Sequence, residues 1–290
     1  MPTRPLVACC LAEVLGTFLL IFFGCGAVHS AVLTGGLSGL WQVGVVWGIS
    51  IMLAVFTVGA ISGAHINPAI TVGLATWKLF PWRRVGPYVL AQLVGAMLAS
   101  LMLFVIFQHF LTAKEEQKGV IRGEPGSEIT AMCYCEYFPN PGSLAAGDEP
   151  YSPEQHRRLN EQLGEGAACL VEVLGTFILA LVVVAVTEQN NDLSPMRMAP
   201  VFIGLTVAAL ICVLAPLTQA CLNPARDFGP RLFAYFAGWG EIALPGPRSP
   251  GFLTVYILSP LAGAILGVGC YHRLIRPSLP EVAAKQDIDS

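Results

Sequence analysis

Two Asn-Pro-Ala triplets, Asn67-Pro68-Ala69 and Asn223-Pro224-Ala225, occupy matching places in the two halves of this 290-residue chain. Asparagine is a favoured N-cap, and proline suits the first helical position because its missing N–H would be unpaired there anyway. Each triplet therefore predicts the start of a short helix. The N-terminus of a helix carries about half a positive charge, and the asparagine amide adds hydrogen-bond donors beside it.

Two carboxylates, Glu13 and Glu172, also stand at matching positions, each inside an apolar stretch where it begins the run Glu-Val-Leu-Gly-Thr-Phe. Acids in apolar surroundings need hydrogen-bond partners. We interpret both as structural groups that accept backbone N–H bonds from the non-helical stretch before an Asn-Pro-Ala triplet. Gln92 is expected to support the same scaffold. The alternative is a proton-coupled transporter that carries charge on these two glutamates.

Composition identifies the chain as a membrane protein. Hydrophobic residues make up 54% of the chain and charged residues only 12%, whereas a soluble domain carries roughly 25% charged residues. The apolar residues fall in blocks of roughly 20, the length that crosses a bilayer as a helix. The net charge is −3 and no Lys/Arg run is present, so we expect the partner surface to be a lipid bilayer and not nucleic acid.

The hydropathy pattern predicts an all-α membrane protein with six transmembrane helices and two apolar pieces that are too short to cross. The predicted spans are residues 6–28, 40–60, 85–107, 167–187, 199–216 and 252–275. The shorter pieces, 61–80 and 217–236, contain the Asn-Pro-Ala triplets. We expect both to be re-entrant, with half-helices at 67–78 and 223–235.

An internal repeat organises these elements. Each half of the chain carries the glutamate run, three spans and one re-entrant piece. Because three is odd, the second half must enter the bilayer from the opposite side, and such inverted repeats place a functional site at the midplane. The expected division is 1–108 for the first repeat, 109–165 for a long extracytoplasmic loop, 166–275 for the second repeat and 276–290 for a cytoplasmic tail.

The distribution of Lys and Arg predicts that both termini are cytoplasmic. The connections and chain ends on the same side as the N-terminus contain Arg4, Lys78, Arg83, Arg84, Arg197, Arg273, Arg276 and Lys285. The short connection 29–39 on the other side contains none, and 108–166 is long enough for its charges to count little. We therefore expect a multi-pass protein of the cell membrane.

In this arrangement the two predicted half-helices point their N-termini at one another near the midplane, where the positive ends repel cations. A water between the Asn67 and Asn223 amides accepts hydrogen bonds from both and relays protons poorly. The irregular stretches before the triplets leave carbonyls unpaired at membrane depth, which is tolerated beside a water-filled pore. The carbonyls expected to line that pore belong to Gly63, Ala64, His65, Gln219 and Cys221.

Arg226 follows the second triplet and is the one full charge that the sequence places at this constriction. An ion pair with Asp227 is the simpler interpretation, but successive residues of a helix do not face each other. We therefore expect Arg226 to face the pore as a fixed cation and hydrogen-bond donor.

The repeat, the paired triplets and Arg226 resemble the major intrinsic proteins, the aquaporin family, over nearly the whole chain. Asp227, Arg231 and the stretch from Asn223 to Gly240 are similar to the glycerol-passing branch and its bacterial glycerol facilitators. The resemblance implies an aquaporin-like fold, a homotetramer with one pore per subunit and no cofactor. It also implies passive passage of glycerol, similar small uncharged solutes and some water, with ions and protons excluded. Asp227 is expected to support the site structurally.

By their spacing from the two triplets, the four constriction positions of that family correspond to Trp47, Ile211, Ala220 and Arg226. Trp47 and Arg226 fit a glycerol facilitator, with an apolar wall for C–H groups and donors for hydroxyl groups. Ile211 and Ala220 depart from that pattern and are closer to the plant nodulin-26-like group. Water, ammonia, urea and neutral metalloid acids are therefore alternative solutes.

Two other function classes compete with a channel. A secondary transporter also uses inverted repeats and broken helices, but it would place a titratable group where this chain has two asparagines. An enzyme is not expected, because Ser62 and His65 lie close in sequence without an orienting acid.

The 108–166 connection contains Cys133 and Cys135 and could fold over the outer mouth of the protein. The two thiols either form a strained local disulfide or stay free. Two ligands alone do not make a zinc site, so no metal site is expected.

Overall fold

The protein is described by a computed structural model over residues 4–280, and this part of the chain is helical without any strand. Its helices are α1 (Leu6–His29), α2 (Leu40–Ser62), α3 (Pro68–Thr76), α4 (Val85–Lys118), α5 (Glu128–Ala131), α6 (Gly142–Ala145), α7 (Pro153–Asn160), α8 (Glu165–Thr187), α9 (Ala199–Thr218), α10 (Pro224–Ala234) and α11 (Gly251–Ser278). Within the same residues, six helices are long and apolar enough to cross a membrane, namely α1, α2, α4, α8, α9 and α11. The predicted all-α membrane protein with six spans and two half-helices is confirmed.

The third span is longer than the hydropathy pattern predicts. The pattern ends at residue 107, whereas α4 continues to Lys118 and stops before Gly119, whose φ of 67° is left-handed. Hydropathy reports where a helix leaves the apolar layer, and the largely polar residues 108–118 continue the helix beyond that point. The long connection therefore begins at 119. Residues 281–290 of the predicted tail lie outside the described part of the chain.

Both half-helices begin at their Asn-Pro-Ala triplets, as the capping rules predict. Asn67 Oδ1 accepts from the Ala69 N–H at 2.8 Å, and proline occupies the first turn of α3. Asn223 Oδ1 accepts from the Ala225 N–H at 3.0 Å at the start of α10. Asn223 Oδ1 also accepts from the Arg226 N–H at 3.4 Å, so the caps satisfy one N–H of α3 and two of α10 that a helix start leaves unpaired.

The two repeats interlock through their half-helices. Within each repeat the long helices pack on one another, α1 against α2 and α4, and α8 against α9 and α11. The half-helices cross over: α3 packs mainly on α11 of the second repeat, and α10 packs on α4 of the first. This exchange holds the two helix N-termini at the interface between the repeats.

The repeats also meet along α2 and α9, where two glycines allow the backbones to approach. A Cβ atom on Gly48 would lie 2.6 Å from the carbonyl oxygen of Gly204, and a Cβ on Gly204 would clash with that of Gly48 in return. Small residues of this kind permit close packing of membrane helices. Trp47 precedes Gly48 on α2, and Ile211 follows Gly204 on α9. The close contact of the two helices therefore fixes the relative positions of these two side chains.

Candidate functional site

The tips of the two half-helices are tied to each other by the asparagine amides. Asn67 Nδ2 donates to the Leu222 carbonyl at 2.9 Å, and Asn223 Nδ2 donates to the Ile66 carbonyl at 2.8 Å. A primary amide has two N–H donors, so each asparagine retains one N–H after making this bond. The carbonyls of Ile66 and Leu222 orient the amides, a detail that the sequence alone does not reveal.

Glu13 lies fully buried on α1, and its carboxylate accepts four hydrogen bonds from the stretch before α3 and from α4. Oε1 accepts from the Ser62 hydroxyl at 2.7 Å and from the His65 N–H at 2.9 Å. Oε2 accepts from the Ile66 N–H at 2.7 Å and from Gln92 Nε2 at 2.8 Å. A carboxylate can accept about four such bonds, so this group is saturated.

Glu172 occupies the equivalent position on α8 and holds the second irregular stretch. Oε1 accepts from the Thr218 hydroxyl at 2.6 Å and from the Cys221 N–H at 3.0 Å, and Oε2 accepts from the Leu222 N–H at 2.8 Å. The bond that Gln92 gives in the first repeat has no counterpart, because the residue that matches Gln92 in the repeat is Pro260. The second carboxylate therefore has one partner fewer.

Two vestibules lead towards these half-helix tips. The vestibule on the side of the long connection, which we call the outer vestibule, has a volume of about 590 Å³, and its lining includes Trp47, Ile211, Gln219 and Arg226. The vestibule on the opposite side, which we call the inner vestibule, has a volume of about 610 Å³, and the predicted pore residues in its lining are Gly63, Ala64, His65 and Asn67. Ala220 and Cys221, which are described and buried, belong to neither lining.

The Arg226 guanidinium is held between three side chains. Its Cζ lies 4.6 Å from the centroid of the Trp47 ring, and its Nη1 lies 3.9 Å from Cys25 Sγ. Its Nη2 forms an ion pair with the carboxylate of Glu136. Asp227 is not a partner of Arg226 but pairs with Arg231 one turn later, at 2.8 Å, as the helical geometry predicts.

Glu136 corrects the prediction that Arg226 is the one full charge at the constriction. The residue lies in the long connection, far from the triplets in sequence, and is 1% exposed. Burial raises the pKa of the Glu136 carboxyl, and the adjacent Arg226 guanidinium opposes that rise. A signal was present in the sequence, because Glu136 is the only charged residue between Ile129 and Gly142.

The segment 132–140 of the long connection is fastened over the outer side of the site. The Glu136 N–H donates to Asp227 Oδ1 and the Tyr137 N–H donates to Gln219 Oε1, both at 2.8 Å. Asn140 Nδ2 donates to a carbonyl of α9 at 2.8 Å. Asp227 thus binds both the connection and the Arg231 side chain. The connection covers part of the mouth of the outer vestibule.

The cysteines of the long connection are free thiols. Cys133 and Cys135 are both buried, and all nine cysteines of the chain are unpaired. Of the two alternatives for this pair, the free thiols are the correct one. Burial raises the pKa of the Cys135 thiol to about 12, so neither reactivity nor ligation is favoured there.

Comparison with known proteins agrees with this geometry. The family model of the major intrinsic proteins matches residues 3–271. A glycerol uptake facilitator protein of Pseudomonas aeruginosa is 37% identical over 288 residues, 99% of this chain and 96% of that protein. A propanediol uptake facilitator, PduF, of Citrobacter freundii is 38% identical over 282 residues, 97% of each chain.

A solved structure shares the fold. The X-ray structure of the aquaglyceroporin from Plasmodium falciparum superposes with a TM-score of 0.75 at 24% sequence identity, covering 94% of this chain and 98% of that one. The family match covers nearly the whole chain, and the inverted repeat with two capped half-helices is present in the structure. The chain belongs to the major intrinsic protein family.

Proposed function

We propose that this protein is a passive channel for glycerol and similar small uncharged solutes, with some water, and that it excludes ions and protons. The observation that carries the proposal is the pair formed by Trp47 and Arg226, which line the same vestibule 4.6 Å apart. A polyol has a C–H edge that suits the indole face and hydroxyl groups that suit the guanidinium donors. The names of the relatives from Pseudomonas aeruginosa and Citrobacter freundii support a small polyol as the solute.

Ion exclusion follows from the half-helix tips. The N-termini of α3 and α10 face one another with their positive dipole ends, and Asn67 and Asn223 each retain one amide N–H. A cation must shed its water shell against these donors, whereas a neutral solute exchanges one set of hydrogen bonds for another. A water that accepts from both amides is oriented against proton relay.

A secondary transporter is the weaker alternative. Its two candidate proton carriers, Glu13 and Glu172, are saturated or nearly saturated by hydrogen bonds from the half-helix stretches. Releasing either one for a transport cycle would leave several buried N–H groups unpaired, each costing roughly 1–3 kcal/mol. A passive channel needs no such release.

The solute range is tested by stopped-flow light scattering on proteoliposomes with a graded series of osmolytes. We expect glycerol, 1,2-propanediol and urea to re-enter shrunken proteoliposomes at least tenfold faster than empty liposomes allow, and sorbitol to remain outside. Ammonia and boric acid in the same series test the alternative solutes. If only water flux exceeds the empty-liposome rate, the polyol proposal is wrong.

The Ile211 position sets the width of the constriction in this proposal. Ile211→His narrows the space and adds a donor, so we expect the glycerol-to-water permeability ratio to fall by about tenfold. Ile211→Gly is expected to admit larger polyols. Val213→Gly, on the exposed side of the same helix, is the matched control, since Val213 is 69% exposed. An unchanged ratio in both Ile211 variants would show that residue 211 does not line the constriction.

Two further parts of the proposal concern orientation and assembly. Both termini are cytoplasmic in this proposal; in support, the Arg84 guanidinium before α4 donates to the Arg4 carbonyl before α1, so two of the basic residues on which the orientation rests lie on the same face. Labelling of a cysteine at position 278 by an impermeant maleimide in intact cells would contradict this.

The protein forms a homotetramer, as the family resemblance implies. A monomer mass in native mass spectrometry would contradict that.

A further inference from the structure

Glu136, in the connection between α4 and α8, pairs with Arg226 through Oε1 and Nη2. Both side chains are nearly enclosed, with exposed fractions of 1% for Glu136 and 4% for Arg226. Within residues 4–280 neither carboxylate oxygen has a hydrogen-bond partner besides this contact. The carboxylate is thus committed to Arg226, and a buried charge is tolerated only with such a partner.

Glu136 can act on a passing solute only through Arg226. It is not part of the outer vestibule lining, to which Arg226 belongs. It borders instead a small space of about 30 Å³, next to Tyr256 and Arg231. Glu136 is therefore a positioning residue and a counter-ion, and not a group that touches the solute.

The backbone of Glu136 is fixed on both sides, so the carboxylate has a defined place. Its N–H donates to Asp227 Oδ1 at 2.8 Å, and its carbonyl accepts from Arg231 Nη2 at 2.5 Å. The charges that face the carboxylate besides Arg226 are those of Asp227, Glu172 and Arg231. Asp227 and Arg231 compensate each other through two bonds of 2.8 and 2.9 Å, and Glu172 is held by its hydrogen bonds.

We infer that Glu136 is a selectivity determinant of this channel: its carboxylate cancels the charge of Arg226, so the constriction presents hydrogen-bond donors without a net cation. The inference rests on the proposed function and adds a residue outside the four constriction positions. An uncompensated guanidinium would draw anions from the outer vestibule, and an uncompensated carboxylate would draw cations. In the pair, each charge suppresses the leak that the other would allow.

The test compares the sign of the ion leak in four variants reconstituted into proteoliposomes. Iodide influx is followed with an entrapped halide-quenched dye and thallium influx with an entrapped thallium-sensitive dye, while glycerol influx is measured on the same preparations. The variants are Glu136→Gln, Glu136→Asp, Arg226→Val and the double variant Arg226→Val/Glu136→Gln. Glu128→Gln is the matched control, because Glu128 is a buried glutamate of the same connection whose Oε2 only accepts from the Gly126 N–H.

We expect opposite leaks from the two single charge removals. Glu136→Gln is expected to raise iodide influx about tenfold over the unmodified protein, equivalent to about 1.4 kcal/mol, with no rise in thallium influx. Arg226→Val is expected to raise thallium influx, and the double variant to lose that cation preference. Glu136→Asp keeps the charge, and both it and the control Glu128→Gln are expected to stay within about threefold of the unmodified protein for both ions.

Two results would overturn the inference. One is unchanged iodide influx in a folded Glu136→Gln protein that still passes glycerol; the other is an equal rise of iodide and thallium, which is the leak of a merely loosened connection. If Glu136→Gln does not fold, the pair of Arg226→Val and the double variant decides, since equal thallium influx in both contradicts the inference. Absence of glycerol influx in the unmodified protein contradicts the proposed function instead.

Discussion

Replacing Glu13 or Glu172 with glutamine is expected to lower the free energy of unfolding by about 1.5–3 kcal/mol each, the usual worth of one charge-assisted hydrogen bond. A glutamine side chain keeps one acceptor oxygen and replaces the second carboxylate oxygen by an NH₂ group. This NH₂ group then faces an N–H donor that had bonded to the lost oxygen. In Glu13→Gln the Ile66 N–H loses its acceptor, and in Glu172→Gln the Leu222 N–H does. Gln92 can turn its amide to face the new NH₂, but its Nε2 then leaves Thr71 Oγ1, to which it donates at 3.2 Å, so Glu13→Gln also loses this longer bond.

The measurement is thermal unfolding in detergent, combined with glycerol flux across a range of pH. Glu154→Gln is the control, because Glu154 is half-exposed and its ion pairs with arginine are on the surface, where such pairs contribute little. We expect a lower Tm for both buried variants and no change in the pH profile of glycerol flux. A flux that loses its dependence on a proton gradient in either variant would favour the transporter.

Replacing Arg226 with valine is expected to have two effects, an ion leak and a loss of stability. The leak should be carried by cations, because the substitution removes the guanidinium and leaves the Glu136 carboxylate without its partner. Removing one member of a buried pair costs about 3–5 kcal/mol, and the cation–π contact with Trp47 is lost as well. Neutral-solute flux should be retained in the protein that folds.

Patch-clamp recording and thermal unfolding of Arg226→Val measure these two effects. Arg158→Val is the control, since the Arg158 side chain is 72% exposed on α7. If Arg226→Val shows neither cation current nor a lower Tm, the helix dipoles alone exclude cations and the Glu136 pair contributes nothing to stability.

Local sequence signals were sufficient to predict the half-helices and the two glutamates that hold the stretches before them. The Asn-Pro pair carries its own capping chemistry, so the starts of α3 and α10 could be predicted without tertiary information. The repeated glutamate run fixed the positions of Glu13 and Glu172, and the need of a buried carboxylate for donors indicated which stretches they would contact. The half-helix starts and the glutamate contacts could be predicted because the same residues recur at matching positions in the two repeats.

The contacts of the long connection could not be predicted in the same way. The contact between Glu136 and Arg226 joins residues far apart in sequence, and neither periodicity nor the repeat relates them. The overrun of α4 to Lys118 has a similar cause: the end of this helix contacts the connection, where Nζ of the buried Lys118 donates to the carbonyls of Ala146 and Glu149 at 2.7 and 2.9 Å. Hydropathy does not register such tertiary burial.

Simultaneous recording of glycerol influx and internal pH in dye-loaded proteoliposomes tests most directly whether the protein is a passive, ion-excluding channel. The expected result is glycerol influx that rises linearly with concentration, is equal with and without an imposed proton gradient, and leaves the internal pH as in empty liposomes. Saturating influx that accelerates with the gradient and acidifies the interior would contradict it.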